Sequence, residues 1–308
     1  MIHERYVDVG DIRTRYLESG DGAEVVVLIH GGGLDYRCLA DADEWRTVMD
    51  RLTERGFHVF AIDRIGCGHT DSPRRDSDYS ARATIDHLDA TLQVLGIERC
   101  ALVGHSRGAL PAAVIAMNRP EMVSALVLVD SQTLAQEDPV VPAGFYSQFY
   151  DGDEDLPNPE NAREAISRNS HSDTTESIRE LIAQRRSKLN VPQHPDRPFV
   201  PSAVRRAARL NREVFIPDVR QTKYEALARI REGELRTPTL LIWGLNDPSA
   251  PFKVGANLYE FMGLFVPDIE FLAFNRSGHY VHIERVDEFV ARVAGYLQGI
   301  PVSGRVAM

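Results

Sequence analysis

The chain has 308 residues, 43% of them hydrophobic and 26% charged, with a formal net charge of −10. Such a chain is long enough for one large domain with an insertion, or for two, and its composition excludes disorder. The acidic balance argues against nucleic acid or an anionic membrane as the main partner, and no apolar run reaches the roughly 18 residues of a membrane helix.

Cys38, Cys67 and Cys100 are scattered and odd in number. They form neither a disulfide framework nor a zinc spacing, which suits a reducing cytoplasm. Met1 to Tyr6 has no apolar stretch behind a basic end, so no signal peptide is expected.

In chain order, Tyr6 to Gly10 and Ile12 to Glu18 read as two strands around a turn at Gly10 and Asp11. Glu24 to Ile29 is a continuous apolar run, as in strands buried on both faces of a parallel sheet. Asp43 to Arg55 reads as a helix ending at Gly56, and Phe57 to Ile62 as the next strand. Ser80 to Leu95 places Ile85, Leu88, Leu92 and Leu95 at helical spacing. Cys100 to Val103 is a strand, Ala109 to Asn118 a helix, and Ala125 to Val129, Thr239 to Trp243 and Ile269 to Phe274 are further strands. Glu284 to Leu297 is a closing helix. This register predicts a mostly parallel α/β sheet of eight strands flanked by helices.

Residues 132–232 break the alternation. The stretch is polar and proline-rich, with helical patterns at Ala162 to Arg168, Thr174 to Leu189 and Ala203 to Arg212. It reads as a helical cap inserted into a core of residues 1–131 and 233–308. Phe145, Tyr146, Phe149, Tyr150, Phe199 and Phe215 are candidates to line its pocket. Arg205, Arg206 and Arg209 read as a solvated helix face rather than an anion clamp.

Gly104-His105-Ser106-Arg107-Gly108 follows a buried strand and precedes a helix, the context of a nucleophile elbow. The glycines leave room where side chains would clash, and the strained turn presents Ser106 Oγ at the carboxyl end of the sheet. A serine needs a base, and the base an orienting acid. His279, just past the last strand, is the best base, and Asp247, just past the preceding strand, the best acid. His282 is the rival base, read as a solvated or capping residue. Asp130 and Asn246 are the rival acids. Two N–H donors must face the developing oxyanion. Arg107 N–H, after the nucleophile, is one, and Gly32 in His30-Gly31-Gly32-Gly33 is the other. The Arg107 side chain reads as pairing with a carboxylate, with an anionic substrate group as the sharper alternative.

These four motifs, each after a predicted strand, together with the turn Asp63 to Pro73, resemble an α/β-hydrolase-fold serine hydrolase over about Tyr6 to Leu297. The turn reads as shaping the fold rather than serving the chemistry. The glycine loop and Gly278 to Glu284 are similar to those of meta-cleavage-product hydrolases, which cleave a carbon–carbon bond in a dienol diketone acid. His105 and Tyr280 stand where that subfamily tends to carry asparagine and tryptophan. With Gly31 and Gly33 they are the candidate substrate-binding residues.

Serine rather than aspartate at the elbow implies acyl chemistry. The main expectation is hydrolysis of a small or medium organic ester or lactone, without metal or organic cofactor. Carbon–carbon hydrolysis of the meta-cleavage type is the alternative, and a ligand-binding receptor or scaffold with little turnover is the reading from another class. A small-molecule substrate is the expected partner, and a homodimer is left open.

Overall fold

The computed structural model describes residues 1–32, 40–136, 159–172, 175–189, 206 and 209–299. Eight strands form one sheet: β1 (His3–Val9), β2 (Ile12–Ser19), β3 (Glu24–Ile29), β4 (Phe57–Ile62), β5 (Cys100–His105), β6 (Val123–Val129), β7 (Thr239–Gly244) and β8 (Ile269–Phe274). Their order is β1-β2-β4-β3-β5-β6-β7-β8. The β1–β2 and β2–β4 pairs are antiparallel and the other five pairs parallel.

The central strands are apolar because both faces are covered. Along β3, Val27 and Ile29 enter one core while Val26 and Leu28 enter the other. The period of two sends alternate side chains to opposite faces. One face carries α2 (Ala81–Val94), α3 (Ala109–Asn118), α6 (Ile216–Arg231) and α7 (Phe252–Met262). The other carries α1 (Arg46–Thr53) and the C-terminal pair α8 (Val281–Glu284) and α9 (Val286–Gly299).

The chain runs from β3 outward to β4, then returns past β3 to β5. The order thus reverses between β3 and β5, and the crevice at their carboxyl ends is where open α/β sheets bind ligands. Between β6 and β7, α4 (Pro159–Asn169) and α5 (Glu176–Leu189) pack through Ile166, Ile178, Leu181 and Ile182 onto Tyr280. Helix α6, which periodicity had not singled out, follows.

The expected single helix from Asp43 is a four-residue 3-10 turn, Ala42–Trp45, running into α1. The expected closing helix is α9, beginning at Val286 rather than Glu284, and the short α8 precedes it across a break at Arg285, whose backbone leaves the helical region. Thr174, Arg205, Phe145, Tyr146, Phe149, Tyr150, Phe199, Gly33 and Cys38 lie outside the described residues.

Candidate active site

Ser106 follows β5 at a φ of 50°, a left-handed conformation costly for a residue with a Cβ. The elbow closes this tightly because of its glycines. A Cβ on Gly104 would stand 2.5 Å from the Gly108 carbonyl oxygen, and one on Gly108 2.5 Å from that of Ile29. Ser131 Oγ and Thr133 Oγ1, past β6, donate to the Ser106 carbonyl at 2.6 and 3.2 Å and fix the turn from behind.

His279 Nε2 is 3.0 Å from Ser106 Oγ, and His279 Nδ1 is 2.7 Å from Asp247 Oδ2. A carboxylate only accepts, so Nδ1 carries the proton and Nε2 is left to accept from the serine. Asp247 is held in turn by the N–H groups of Ser249 and Ala250, at 2.7 and 2.8 Å from Oδ1. The His279 N–H donates to the Asn169 carbonyl at 2.7 Å, so the end of α4 fixes the base. Ser106, His279 and Asp247 thus come together from three strand ends.

The rival residues have other places. Asp130, at a φ of 45°, accepts from the Gly244 N–H at 2.7 Å. Burial and the neighbouring Asp247 carboxylate hold its carboxyl well above the usual range, against the N–H groups of Gly244 and Val281. His282 is fully buried, not solvated: its ring centroid lies 4.4 Å from those of Trp45 and His105. The break at Arg285 lets α8 turn it inward. Burial pushes its pKa well down, and neither ring nitrogen has a hydrogen-bond partner.

The glycine loop packs directly on the elbow. A Cβ on Gly31 would stand 2.9 Å from that of Ser106. The Gly31 N–H donates to Glu44 Oε1 at 3.3 Å, which takes it away from substrate. Gly32 sits at a φ of 77°. Buried Arg64 donates to the carbonyls of both Gly31 and Gly32, and its N–H to His30 Nε2 at 3.1 Å. The Asp63 to Pro73 turn, read above as only shaping the fold, therefore grips the loop that faces the serine. His30 Nδ1 donates to the Gly31 carbonyl at 2.8 Å, so both its nitrogens are satisfied in the neutral ring, and burial pushes its pKa down to about 3.

His105 points away from the crevice. Its Nε2 is 2.8 Å from the His279 carbonyl and its Nδ1 3.3 Å from Glu44 Oε1. Both nitrogens are engaged with protein groups, which corrects the expectation of a substrate contact. A carbonyl only accepts, so Nε2 must donate, and burial lowers the pKa of the His105 ring. Burial alone would raise Glu44; the hydrogen bond to His105 and the nearby His282 and Arg185 hold it well below the usual carboxylate range. Arg185 of α5 reaches Glu44 Oε2 at 3.2 Å and lies 5.8 Å from the Tyr280 ring centre. Ligand atoms of Glu44, His105 and His282 lie within 4.8 Å of one another. Arg185 already supplies the cation there, and Glu44 Oε1 is occupied by Gly31 and His105, so the donor set does not fit a metal ion.

Arg107 extends from the elbow to Asn211 Oδ1 at 3.4 Å and over the Phe215 ring at 5.4 Å. Arg206 and Arg209 both pair with Asp76 on the exposed surface, as a solvated face should. Glu44, Arg64, Arg185 and Asn211 went unread in the sequence because no motif marks a residue that meets its partners only through tertiary packing.

Residues 24–286 match the family of the alpha/beta hydrolase fold. The chain belongs to that family. This alpha/beta hydrolase is 30% identical over 305 residues to the 2-hydroxy-6-oxononadienedioate/2-hydroxy-6-oxononatrienedioate hydrolase of Paraburkholderia phymatum, covering 95% of each chain. It is 36% identical over 136 residues to the 2-hydroxy-6-oxo-6-(2'-aminophenyl)hexa-2,4-dienoic acid hydrolase of Metapseudomonas resinovorans, or 44% of each chain. Among solved structures it resembles a serine hydrolase involved in carbazole degradation, with a TM-score of 0.71, 23% identity and coverage of 97% of this chain and 99% of that one. No helix among the described residues is long and apolar enough to cross a membrane.

Proposed function

We propose that this alpha/beta hydrolase cleaves a carbon–carbon bond in a 2-hydroxy-6-oxo-dienoate. The observation that carries the reading is the full-length relative whose named substrates are of that class, in a chain that also holds a hydrogen-bonded Ser106–His279–Asp247 relay. Ester or lactone hydrolysis, the main expectation from the motifs, gives way to the alternative: the same triad serves either reaction, and the relatives favour the ketone.

The chemistry needs two stages. The 2-hydroxy dienol first moves its hydroxyl proton to C5, giving a 2,6-diketone. Ser106 Oγ then attacks the C6 carbonyl while His279 Nε2 takes its proton. The N–H groups of Gly32 and Arg107 receive the oxyanion. Collapse breaks the C5–C6 bond, and the electron pair is delocalised onto the C2 oxygen as a dienolate. His279 returns the proton to that leaving half. Water, activated by the same imidazole, releases the acyl group from Ser106 as a carboxylic acid. Asp247 holds the imidazole tautomer and stabilises its charged form.

Helices α4 and α5 act as the cap over this crevice. Tyr280, with Arg185 beyond its ring, flanks His279 on the side where the dienoate half leaves, and Gly31 packs against Ser106 on the loop opposite. A reducing cytoplasm suits the buried thiols of Cys67 and Cys100.

The test is a substrate panel: loss of dienol absorbance for 2-hydroxy-6-oxo-dienoates, run beside p-nitrophenyl esters and lactones, with products identified by mass spectrometry. The proposal expects the dienol ketones to be turned over with the highest kcat/KM, yielding a 2-hydroxypenta-2,4-dienoate and a carboxylic acid. Ester or lactone turnover with intact dienol ketones would overturn it.

A further inference from the structure

The Gly32 oxyanion donor proposed above is the N–H of a peptide between two glycines. Glycine resists neither orientation of the peptide plane beside it, so the backbone alone does not aim this N–H. Its partners must. The peptide is trans, so its N–H and the Gly31 carbonyl point in opposite directions. Whatever grips that carbonyl therefore aims the N–H.

Arg64 grips it twice over. Its side chain is fully buried, and Nη2 donates to the Gly31 carbonyl at 2.6 Å and also to that of Gly32. Its backbone N–H donates to His30 Nε2 at 3.1 Å, which puts the ring proton on Nδ1. That Nδ1 donates to the same Gly31 carbonyl at 2.8 Å. The turn carrying Arg64 is itself anchored. Asp63 accepts from the N–H groups of Ala42 and His69 at 2.7 and 2.8 Å, and its own N–H donates to the Arg15 carbonyl of β2 at 3.1 Å. A cation at the carbonyl end of a peptide also polarises its N–H into a stronger donor. The Gly31 N–H is engaged with Glu44 Oε1, which leaves the oxyanion to the Gly32 N–H.

We infer that Arg64 is a positioning residue for the oxyanion: it holds the Gly31–Gly32 peptide with its N–H toward the attacked carbonyl. Without it the peptide turns and presents a carbonyl oxygen there instead. The inference deepens the role given to Gly32 and rests on it, but not on the choice between ketone and ester, since both pass through the same oxyanion.

The probe is a pair of ketones, phenethyl trifluoromethyl ketone and phenethyl methyl ketone, neither of which requires carbon–carbon cleavage. The fluorinated carbonyl carbon bonds to Ser106 Oγ, the serine proton passes to His279 Nε2, and the carbonyl pair becomes the oxyanion; the methyl ketone binds without this step. Wild type should bind the fluorinated member about 10²-fold or more tightly than the other. Arg64→Met should cut that preference about 10- to 100-fold and lower kcat for the best substrate of the panel above by a similar factor, with KM within about threefold of wild type. Arg64→Lys, which keeps a charged donor, should restore most of both. Fluorophosphonate labelling run to completion counts competent sites, so a misfolded fraction lowers the count and not the preference. Arg64→Gln, neutral and too short to hold both carbonyls, reads the same preference where Arg64→Met does not fold. An undiminished ketone preference in folded Arg64→Met or Arg64→Gln, or a loss confined to KM, would overturn the inference and leave the Gly32 role intact. No preference in wild type would overturn both.

Discussion

Two buried carboxylates hold histidines at this site, and they do so in opposite ways. Asp247 has one histidine and two backbone N–H groups around it, all from short loops at neighbouring strand ends. Glu44 gathers Gly31, His105, Arg185 and His282 from four distant parts of the chain. The first arrangement sets the base for proton transfer. The second ties the glycine loop to the backbone of that base, because His105 joins Glu44 to the His279 carbonyl, and it draws α5 onto both. The Asp247 end is a local device, and the Glu44 end a bracket between the sheet and the helices above it.

The sharpest way to break the Asp247 side is Asp247→Asn, which leaves the tautomer of His279 unfixed. It should lower kcat about 10³- to 10⁴-fold, whereas Asp130→Asn should cost less than about tenfold. Asp130 is the neighbouring carboxyl that burial and Asp247 raise well above the usual range, and its Oδ1 accepts from the Gly244 N–H rather than orienting His279. Steady-state rates of the two variants decide it, and equal losses would make Asp130 a working partner.

On the Glu44 side, Glu44→Ala leaves Arg185 buried without its carboxylate. It should destabilise the protein by about 3–5 kcal/mol in denaturant unfolding. Glu44→Gln keeps the acceptor for Gly31 and loses the charge; it should fold and lose about 10- to 100-fold in kcat with a smaller change in KM. A Glu44→Gln enzyme with the wild-type rate would reduce the bracket to a packing feature.

Stability against pH probes the histidines outside both ends. Burial depresses His30 to about 3 and His87 to about 4. Between pH 6.5 and about 4 each of these two rings takes a proton in the unfolded chain that it does not take in the native one. The contribution of the pair is therefore present above the unfolded histidine pKa and falls as pH drops, by up to about 2.7 kcal/mol per pH unit. Urea midpoints of wild type and His87→Gln at pH 7, 6 and 5 read the His87 share as a steeper wild-type slope, and equal slopes would mean that this ring is protonated in the fold.

The smallest effect is expected at His282. Its nitrogens make no hydrogen bond, so His282→Phe should leave stability within about 1 kcal/mol of wild type. A large loss in thermal unfolding would show that Glu44 depends on this ring.

The same contrast explains what could be read from the amino-acid order. Ser106, Asp247 and His279 are legible because each directly follows an apolar run that can only be a buried strand, and parallel strands bring their carboxyl ends to one edge. The tight elbow was legible in part: Gly104 answers a contact with Gly108, four residues on, whereas Gly108 answers Ile29 of the neighbouring strand. Glu44 and Arg185 were not. Helical periodicity tells which face of α5 is buried but not that Arg185 meets a carboxylate from the turn before α1. His282 was misplaced because it stands ahead of the expected helix from Glu284, and neither the short α8 that holds it nor the break at Arg285 announces itself in composition. Asn211 lay in a polar stretch, and the π-helix Asn211–Phe215 that it opens has no signature beyond ordinary helical residues.

The most direct test of the central claim, an activated Ser106 at the end of the His279–Asp247 relay, is intact-protein mass spectrometry after a fluorophosphonate probe on wild type and Ser106→Ala. A single adduct on wild type, mapped to Ser106 and absent from the variant, is the predicted result. No adduct on wild type, or an equal adduct on both, would contradict it.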